Sequence, residues 1–207
     1  MYKSKIPSQN NKKVAEYCYE LGKSLTGNGC VVELGSWLGG SIEPVAKALA
    51  EAGKNTDIHL FDRFYVAKDR VGETEIIKAK KQGVHLKLGQ DTLPIVQDYL
   101  NPINPNIKYH KVQDIRDSQW DNGVIELYMD DVCKSEKLFS YAIKTFSPYW
   151  IPGETVLVLM DFNYGVAQYQ RKFITKYSDH FTKVKEFKKY GSCVVFLYTK
   201  KLNNIKL

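Results

Sequence analysis

Apolar residues follow two different periods along the chain, and the two alternate. Short apolar blocks at residues 30–34, 57–61, 107–112, 123–129 and 155–160 have the length of strands buried on both faces. Between them the apolar positions recur at helical spacing. Residues 10–25 place Val14, Tyr17, Cys18, Leu21 and Leu25 on one stripe. Residues 42–51 do the same with Ile42, Val45, Ala46, Leu49 and Ala50, and residues 135–146 with Leu138, Phe139, Ala142, Ile143 and Phe146. A further helix is predicted over 168–177. Strands at 182–187 and 192–199 follow, joined by a hairpin turn at Lys188, Lys189, Tyr190 and Gly191. The segment 63–105 is more polar. It carries helical patterns at 73–82 and from a Thr92 cap through Leu93, Val96 and Leu100. Alternating strands and helices that end in a hairpin predict an α/β three-layer sandwich. At 207 residues the chain is expected to form one domain, 1–207, burying about 70% of its unfolded surface.

One stretch joins a strand to a helix through glycines: Cys30 to Ser41, reading C-V-V-E-L-G-S-W-L-G-G-S. Strand, glycine loop and helix together present backbone N–H groups and the positive end of a helix to a ligand. Gly35 is expected to take positive φ and turn the chain off the strand. Gly39 and Gly40 leave room for a ligand near the backbone, and Ser41 is placed to cap the helix. The spacing is G-x-x-x-G-G and not the dinucleotide G-x-G-x-x-G. Glu33 stands two residues before the first glycine, a poor neighbour for a pyrophosphate and a good one for a cationic ligand. The plain alternative is an ordinary α/β turn.

The early strands end in acids: Glu33, Asp62, Asp114, Asp130 with Asp131, and Asp161. In open α/β sheets ligands lie at the carboxyl ends of the strands. Acids gathered on that edge repel one another unless cations or hydroxyls lie between them. Some could instead cap the helices that follow.

The stretch from Val32 to Ser41 resembles motif I of the class I S-adenosylmethionine-dependent methyltransferases. It is most similar to the branch of the macrocin-type sugar O-methyltransferases and cephalosporin-hydroxylase-like proteins, which carry an acid-x-Gly-x-x-x-Gly-Gly-Ser loop. The resemblance runs, with weaker motifs, from about Cys30 to about Thr199. It implies a Rossmann-like, mostly parallel seven-stranded sheet of order 3-2-1-4-5-7-6. It implies S-adenosylmethionine as cofactor, contacted by Glu33, Gly35, Ser36, Trp37, Gly39, Gly40, Ser41, Asp62, Arg63, Asp114, Ile115 and Asp130. Asp62 would accept the ribose hydroxyls, although NAD-binding folds use a carboxylate in the same way. Asp114 with Ile115 would flank the adenine, a partial match because Gln113 stands where the family has glycine. Asp131 and Asp161 are the catalytic candidates and would hold a divalent ion such as Mg²⁺, a hard cation that takes oxygen ligands. Here the sequence departs from the family. Its D-x-D-x-Y-x-S motif is replaced by Tyr128-Met129-Asp130-Asp131-Val132-Cys133-Lys134-Ser135, and its second paired Asp-Asp by Asp161-Phe162. Lys134 could contact an anionic substrate, and Trp37 and Tyr164 could line an acceptor pocket. The segment 63–105 would cover the substrate.

Charge narrows the partners without naming one. The net charge of +7 gathers at residues 78–87, 183–189 and 200–206, and favours an anionic partner or simply solvated lysines. A nucleic-acid methyltransferase competes on that ground. Against it, strand four ends in Y-M-D-D and lacks the N/D-P-P-Y of amino-group base methylation. An NAD(P) oxidoreductase lacks its glycine spacing. A binding protein that has kept the fold and lost the chemistry is a third alternative. The expected acceptor is a small molecule of sugar or nucleotide-sugar type, methylated at a hydroxyl. No run of apolar residues is long enough to span a membrane. Four cysteines with no C-x-x-C pair fit a reducing cytoplasm, and oligomerisation with a second copy is left open. His59 reads as structural, and His85, His110 and His180 have no metal-ligand spacing.

Overall fold

The computed structural model describes residues 6–188 and 193–202. Seven strands form one sheet: β1 Cys30–Leu34, β2 Ile58–Asp62, β3 Ile107–Lys111, β4 Ile125–Asp130, β5 Val156–Met160, β6 Phe181–Phe187 and β7 Cys193–Tyr198. Their order is β3-β2-β1-β4-β5-β7-β6, as the family resemblance implied. The first five strands pair in parallel, and β7 runs antiparallel between β5 and β6. Of the predicted hairpin turn, residues 189–191 lie outside the described residues.

The helices are α1 Lys12–Ser24, α2 Glu43–Glu51, α3 Arg70–Lys80, α4 Leu93–Leu100, α5 Glu136–Phe146 and α6 Gln168–Lys176. Alternate residues of each strand face opposite layers. Val31, Leu60, Leu127, Met129 and Val158 pack with residues of α1, α2 and α4. Val32, Leu34, Phe61, Tyr128, Leu157 and Leu159 pack with residues of α5 and α6. A fully buried aliphatic side chain contributes about 1.5–3 kcal/mol, so these two layers hold the sheet. A third, smaller cluster joins Leu38 of the glycine loop to Val66, Ala79 and Leu86. It brings α3 over the carboxyl ends of the strands.

Three local expectations are corrected. Asp69 accepts from the amides of Val71 and Gly72, so α3 starts at Arg70 and not near residue 73. Ser41 does not cap α2. Glu43 N–H bonds to Gly39 O and Gly39 N–H to Ser36 O, so two turns are completed before the helix starts at Glu43 with Pro44 in its first turn. Thr92 sits at the start of α4 without a side-chain cap bond, and Asp91 caps the Leu93 amide instead, at 2.9 Å.

Register sets the strand ends level. Leu34 lies opposite Phe61 on one side and Asp130 on the other, and Asp130 lies opposite Leu159. The chain leaves β1 towards β2 and returns to place β4 on its far side, which makes a switch point where crevices form.

The glycine loop is also held from outside. Gly39 has φ +88°, and a Cβ there would lie 2.9 Å from Leu100 Cδ1. A Cβ on Gly40 would lie 2.2 Å from the Pro7 carbonyl oxygen. These glycines therefore admit the protein's own chain, not a ligand as the sequence suggested. Gly39→Ala is expected to lower stability by about 1–2 kcal/mol, the cost of a left-handed L-residue, read as an earlier urea midpoint; an unchanged midpoint would contradict this packing.

Candidate active site

A cavity of about 380 Å³ opens at the switch point. Its wall combines Gly35 and Trp37 from the loop after β1, Asp62 and Arg63 after β2, and Gln113, Asp114 and Ile115 after β3. Asp131, Val132 and Lys134 follow from beyond β4. Tyr65, Val71, Glu75 and Thr92 of the polar insertion close the other side. The volume lies within the usual range for small-molecule sites.

Each acid on this rim has a different task. Asp62 is the hinge of the cavity floor. Its Oδ2 accepts from the amides of Ser36 at 2.8 Å and Trp37 at 3.0 Å, and its Oδ1 from the Phe64 amide at 2.8 Å. Burial raises its pKa, while the three amides and Arg63 draw it back. Asp114 caps a short 3-10 turn over Ile115–Asp117 and makes a two-point pair with Arg116, Nε–Oδ1 at 2.9 Å and Nη2–Oδ2 at 2.7 Å. That pair holds it at about 2. Asp130 is fully buried and accepts from the Val132 and Cys133 amides at 3.1 and 2.9 Å. It shapes the turn after β4 and is not on the cavity wall.

Glu33 lies beneath the loop, 2% exposed. Burial pushes its pKa up to about 8, with the nearby Ser41 and Ser36 hydroxyls pulling down and Asp131 and Asp62 pushing up. Its Oε2 has no hydrogen-bond partner, and neither has Ser36 Oγ, Trp37 Nε1 or Asp130 Oδ2, all buried. Buried polar atoms are nearly always paired; of the eleven unpaired ones among the described residues, these four gather at the ends of β1 and β4 and in the glycine loop.

Asp131 and Asp161 meet through a third residue. Lys134 Nζ stands 2.9 Å from Asp131 Oδ1 and 2.8 Å from Asp161 Oδ2. Burial works against the charge on Lys134, but the two carboxylates outweigh it and raise its pKa. Asp131 keeps 41% of its side chain open to the cavity, yet the protein around it still desolvates the carboxyl. That desolvation, aided by Asp161 and Asp130 and opposed by Lys134, pushes it up to about 6. The residues present give no support to a divalent ion shared by Asp131 and Asp161. The space between their oxygens holds an ammonium, and among the described residues no group of three His, Cys, Asp or Glu could hold a metal.

Backbone strain collects at the same rim. Trp37, Phe64 and Asp161 have φ of 46°, 45° and 57°, the left-handed region that L-residues avoid. Each follows a strand end and re-aims a side chain or the chain itself.

Of the expected cofactor residues, Gly35, Trp37, Asp62, Arg63, Asp114 and Ile115 reach the cavity wall, as does the catalytic candidate Asp131. Glu33, Ser36, Gly39, Gly40, Ser41 and Asp130 lie behind it, and Asp161 touches it through Lys134. Tyr164 is 46% exposed and off the wall. His59 pairs with His110, ring nitrogens 2.9 Å apart, within the sheet. The Arg63–Glu75 pair, 2.8 Å apart across the cavity mouth, escaped the sequence reading. Its signal was weak: Glu75 is one of many charges on a polar helix.

No protein-family model matches the chain, and no curated protein matches it in sequence. Solved structures do match its fold. The O-methyltransferase NovP superposes with a TM-score of 0.66 at 12% identity, over 91% of this chain and 80% of that one. CalS11, a TDP-rhamnose 3'-O-methyltransferase of calicheamicin biosynthesis, gives 0.59 at 12% identity over 90% and 77%. A putative rRNA-methylase from Clostridium thermocellum gives 0.58 at 11% identity over 93% and 98%. Among the described residues no helix is long and apolar enough to cross a membrane.

The raised pKa of Glu33 has a consequence for stability. A carboxyl whose folded pKa lies above its unfolded value stabilises the fold while protonated, and that contribution is lost as pH rises from about 4.5 through about 8. Glu33→Gln cannot ionise. Its melting temperature is expected to gain on the unmodified chain between pH 5 and pH 9, by the equivalent of a few kcal/mol at roughly 1.4 kcal/mol per pKa unit. Parallel pH curves in a thermal melt would contradict a buried, neutral Glu33. The chain has the fold of the class I methyltransferases.

Proposed function

We propose that this chain is an S-adenosylmethionine-dependent methyltransferase that methylates a hydroxyl of a sugar or nucleotide-sugar acceptor. The observation that carries the reading is the cavity at the β1/β4 switch point. It is walled by Asp62 and Asp114 on one side and by Asp131 and Lys134 on the other, Lys134 being held from behind by Asp161. The residues present fit the cofactor. The unpaired Oε2 of Glu33, Oγ of Ser36 and Nε1 of Trp37 surround the glycine loop. An ionised carboxylate offers about four acceptor positions; Asp62 spends three on amides and keeps one for a ribose hydroxyl. Ile115 and Phe61 give the apolar wall an adenine needs. Glu33 would ionise on meeting a cationic group. When bound, the cofactor supplies an electrophilic methyl group and leaves as a neutral thioether.

The chain's own work is orientation and proton removal. Holding donor and acceptor aligned can lower a barrier by about 7–11 kcal/mol. Asp131, raised to about 6, is ionised at neutral pH and can take the hydroxyl proton. A sugar hydroxyl as acceptor is supported by the fold neighbour CalS11, a TDP-rhamnose 3'-O-methyltransferase, and O-methylation by NovP; the small cavity suits such an acceptor. The putative rRNA-methylase neighbour and the basic surface keep RNA as the competing acceptor.

The test is transfer of radiolabelled methyl from S-adenosylmethionine into a nucleotide-sugar pool and into total RNA, side by side. Label is expected in the sugars; label in RNA alone would overturn the acceptor. Asp131→Asn is expected to slow transfer about 10²–10⁴-fold. In the unmodified enzyme kcat/KM should fall as pH drops through about 6, where Asp131 becomes protonated. A flat acid limb would remove Asp131 as the base.

A further inference from the structure

Lys134 is held between two acids. Lys12–Glu16 and Lys47–Glu51 pair one helical turn apart, at 3.7 and 4.0 Å. Lys134 instead bridges two carboxylates from two different strand ends at 2.9 and 2.8 Å. All three backbones are anchored independently. The Asp131 amide continues the β4–β1 pairing by donating to Leu34 O at 2.9 Å. Asp161 sits in a left-handed turn, its carbonyl accepting from the Tyr164 amide at 2.8 Å. Lys134 directly precedes Ser135, the cap of α5. The carboxylates are therefore aimed at the ammonium by the fold.

We infer that the Lys134 ammonium is the resident cation of the acceptor site, standing where the family resemblance expects a divalent metal and offering its remaining N–H to the acceptor oxygen. The inference rests on the methyl-transfer reading above. A lysine ammonium has three donors. Two go to Asp131 and Asp161, and the third is free for an oxygen in the cavity that Lys134 lines. A divalent ion between these acids would have to displace a like charge, so the site excludes it by electrostatics as well as space. The division of labour follows. Asp161 holds Lys134, Lys134 orients the acceptor oxygen and stabilises the negative charge that builds on it, and Asp131 receives its proton. A preorganised donor of this kind acts without the coordination shell a metal needs.

The experiment titrates Mn²⁺ into the full chain and follows free ion by electron paramagnetic resonance. It is paired with methyl transfer in EDTA and in Mg²⁺. The unmodified chain should bind no Mn²⁺ at this site and keep its full rate in EDTA. Lys134→Ala should gain an Mn²⁺ site that Lys134→Ala/Asp161→Asn loses. It should also transfer methyl about a hundredfold more slowly, with partial rescue by Mg²⁺ and unchanged S-adenosylhomocysteine affinity. Lys134→Gln, which is one atom shorter and uncharged but keeps an amide donor, replaces it if Lys134→Ala does not fold. Mn²⁺ bound by the unmodified chain and lost in Asp161→Asn would overturn the inference. So would a Lys134 variant with unaltered rate and unaltered Mn²⁺ affinity. Loss of S-adenosylhomocysteine binding in the unmodified chain would instead count against methyl transfer itself, and the Mn²⁺ comparison stands apart from that outcome.

Discussion

One carboxylate holds the site in shape. Asp62, at the end of β2, takes the amides of Ser36, Trp37 and Phe64, and so fastens the glycine loop of β1 to the neighbouring strand end. Hydrogen bonds to a charged acceptor contribute about 1.5–3 kcal/mol each, enough to hold Trp37 and Phe64 in left-handed backbone that neither would adopt alone. With the loop fixed, Gly35 and Trp37 form one wall of the cavity and Leu38 is turned under α3. Without it the floor of the crevice would be an unsupported turn.

The electrostatics of the rim follow from how each acid is neutralised. Five strand ends bring acids to one edge, and the fold answers most of them with three kinds of partner. Backbone amides serve Asp62 and Asp130, Arg116 serves Asp114, and Lys134 serves Asp131 and Asp161 together. Glu33 receives no cation and is neutral instead, its pKa lifted by burial to about 8. A neutral, proton-bearing carboxyl thus lies behind the cavity wall on the β1 side, and a charged, lysine-bridged wall stands on the β4–β5 side. That asymmetry suits a site where one partner arrives cationic and the other must lose a proton.

Much of the fold was legible because its signals were local. Apolar blocks such as Val156–Met160 and helical stripes such as that of α5 stand out from their own spacing. The strand order came only through the resemblance, since periodicity says nothing about which strands are neighbours. The acids were found as a cluster, but their roles were not readable. Whether Asp130 faces a ligand or its own next turn depends on two amides that no pattern in the sequence reveals. Gly39 and Gly40 misled for a similar reason: a glycine reports close approach, and here what approaches is Leu100 and the segment at Pro7. The bridging role of Lys134 depends on Asp161, which is close in the fold and remote in the chain.

The central claim is that the crevice between β1, β2 and β4 receives an S-adenosyl group, and calorimetry tests it most directly. S-Adenosylhomocysteine titrated into the chain should bind at one site per molecule, while NADH gives no heat of binding. Binding of NADH with none of S-adenosylhomocysteine would contradict the account.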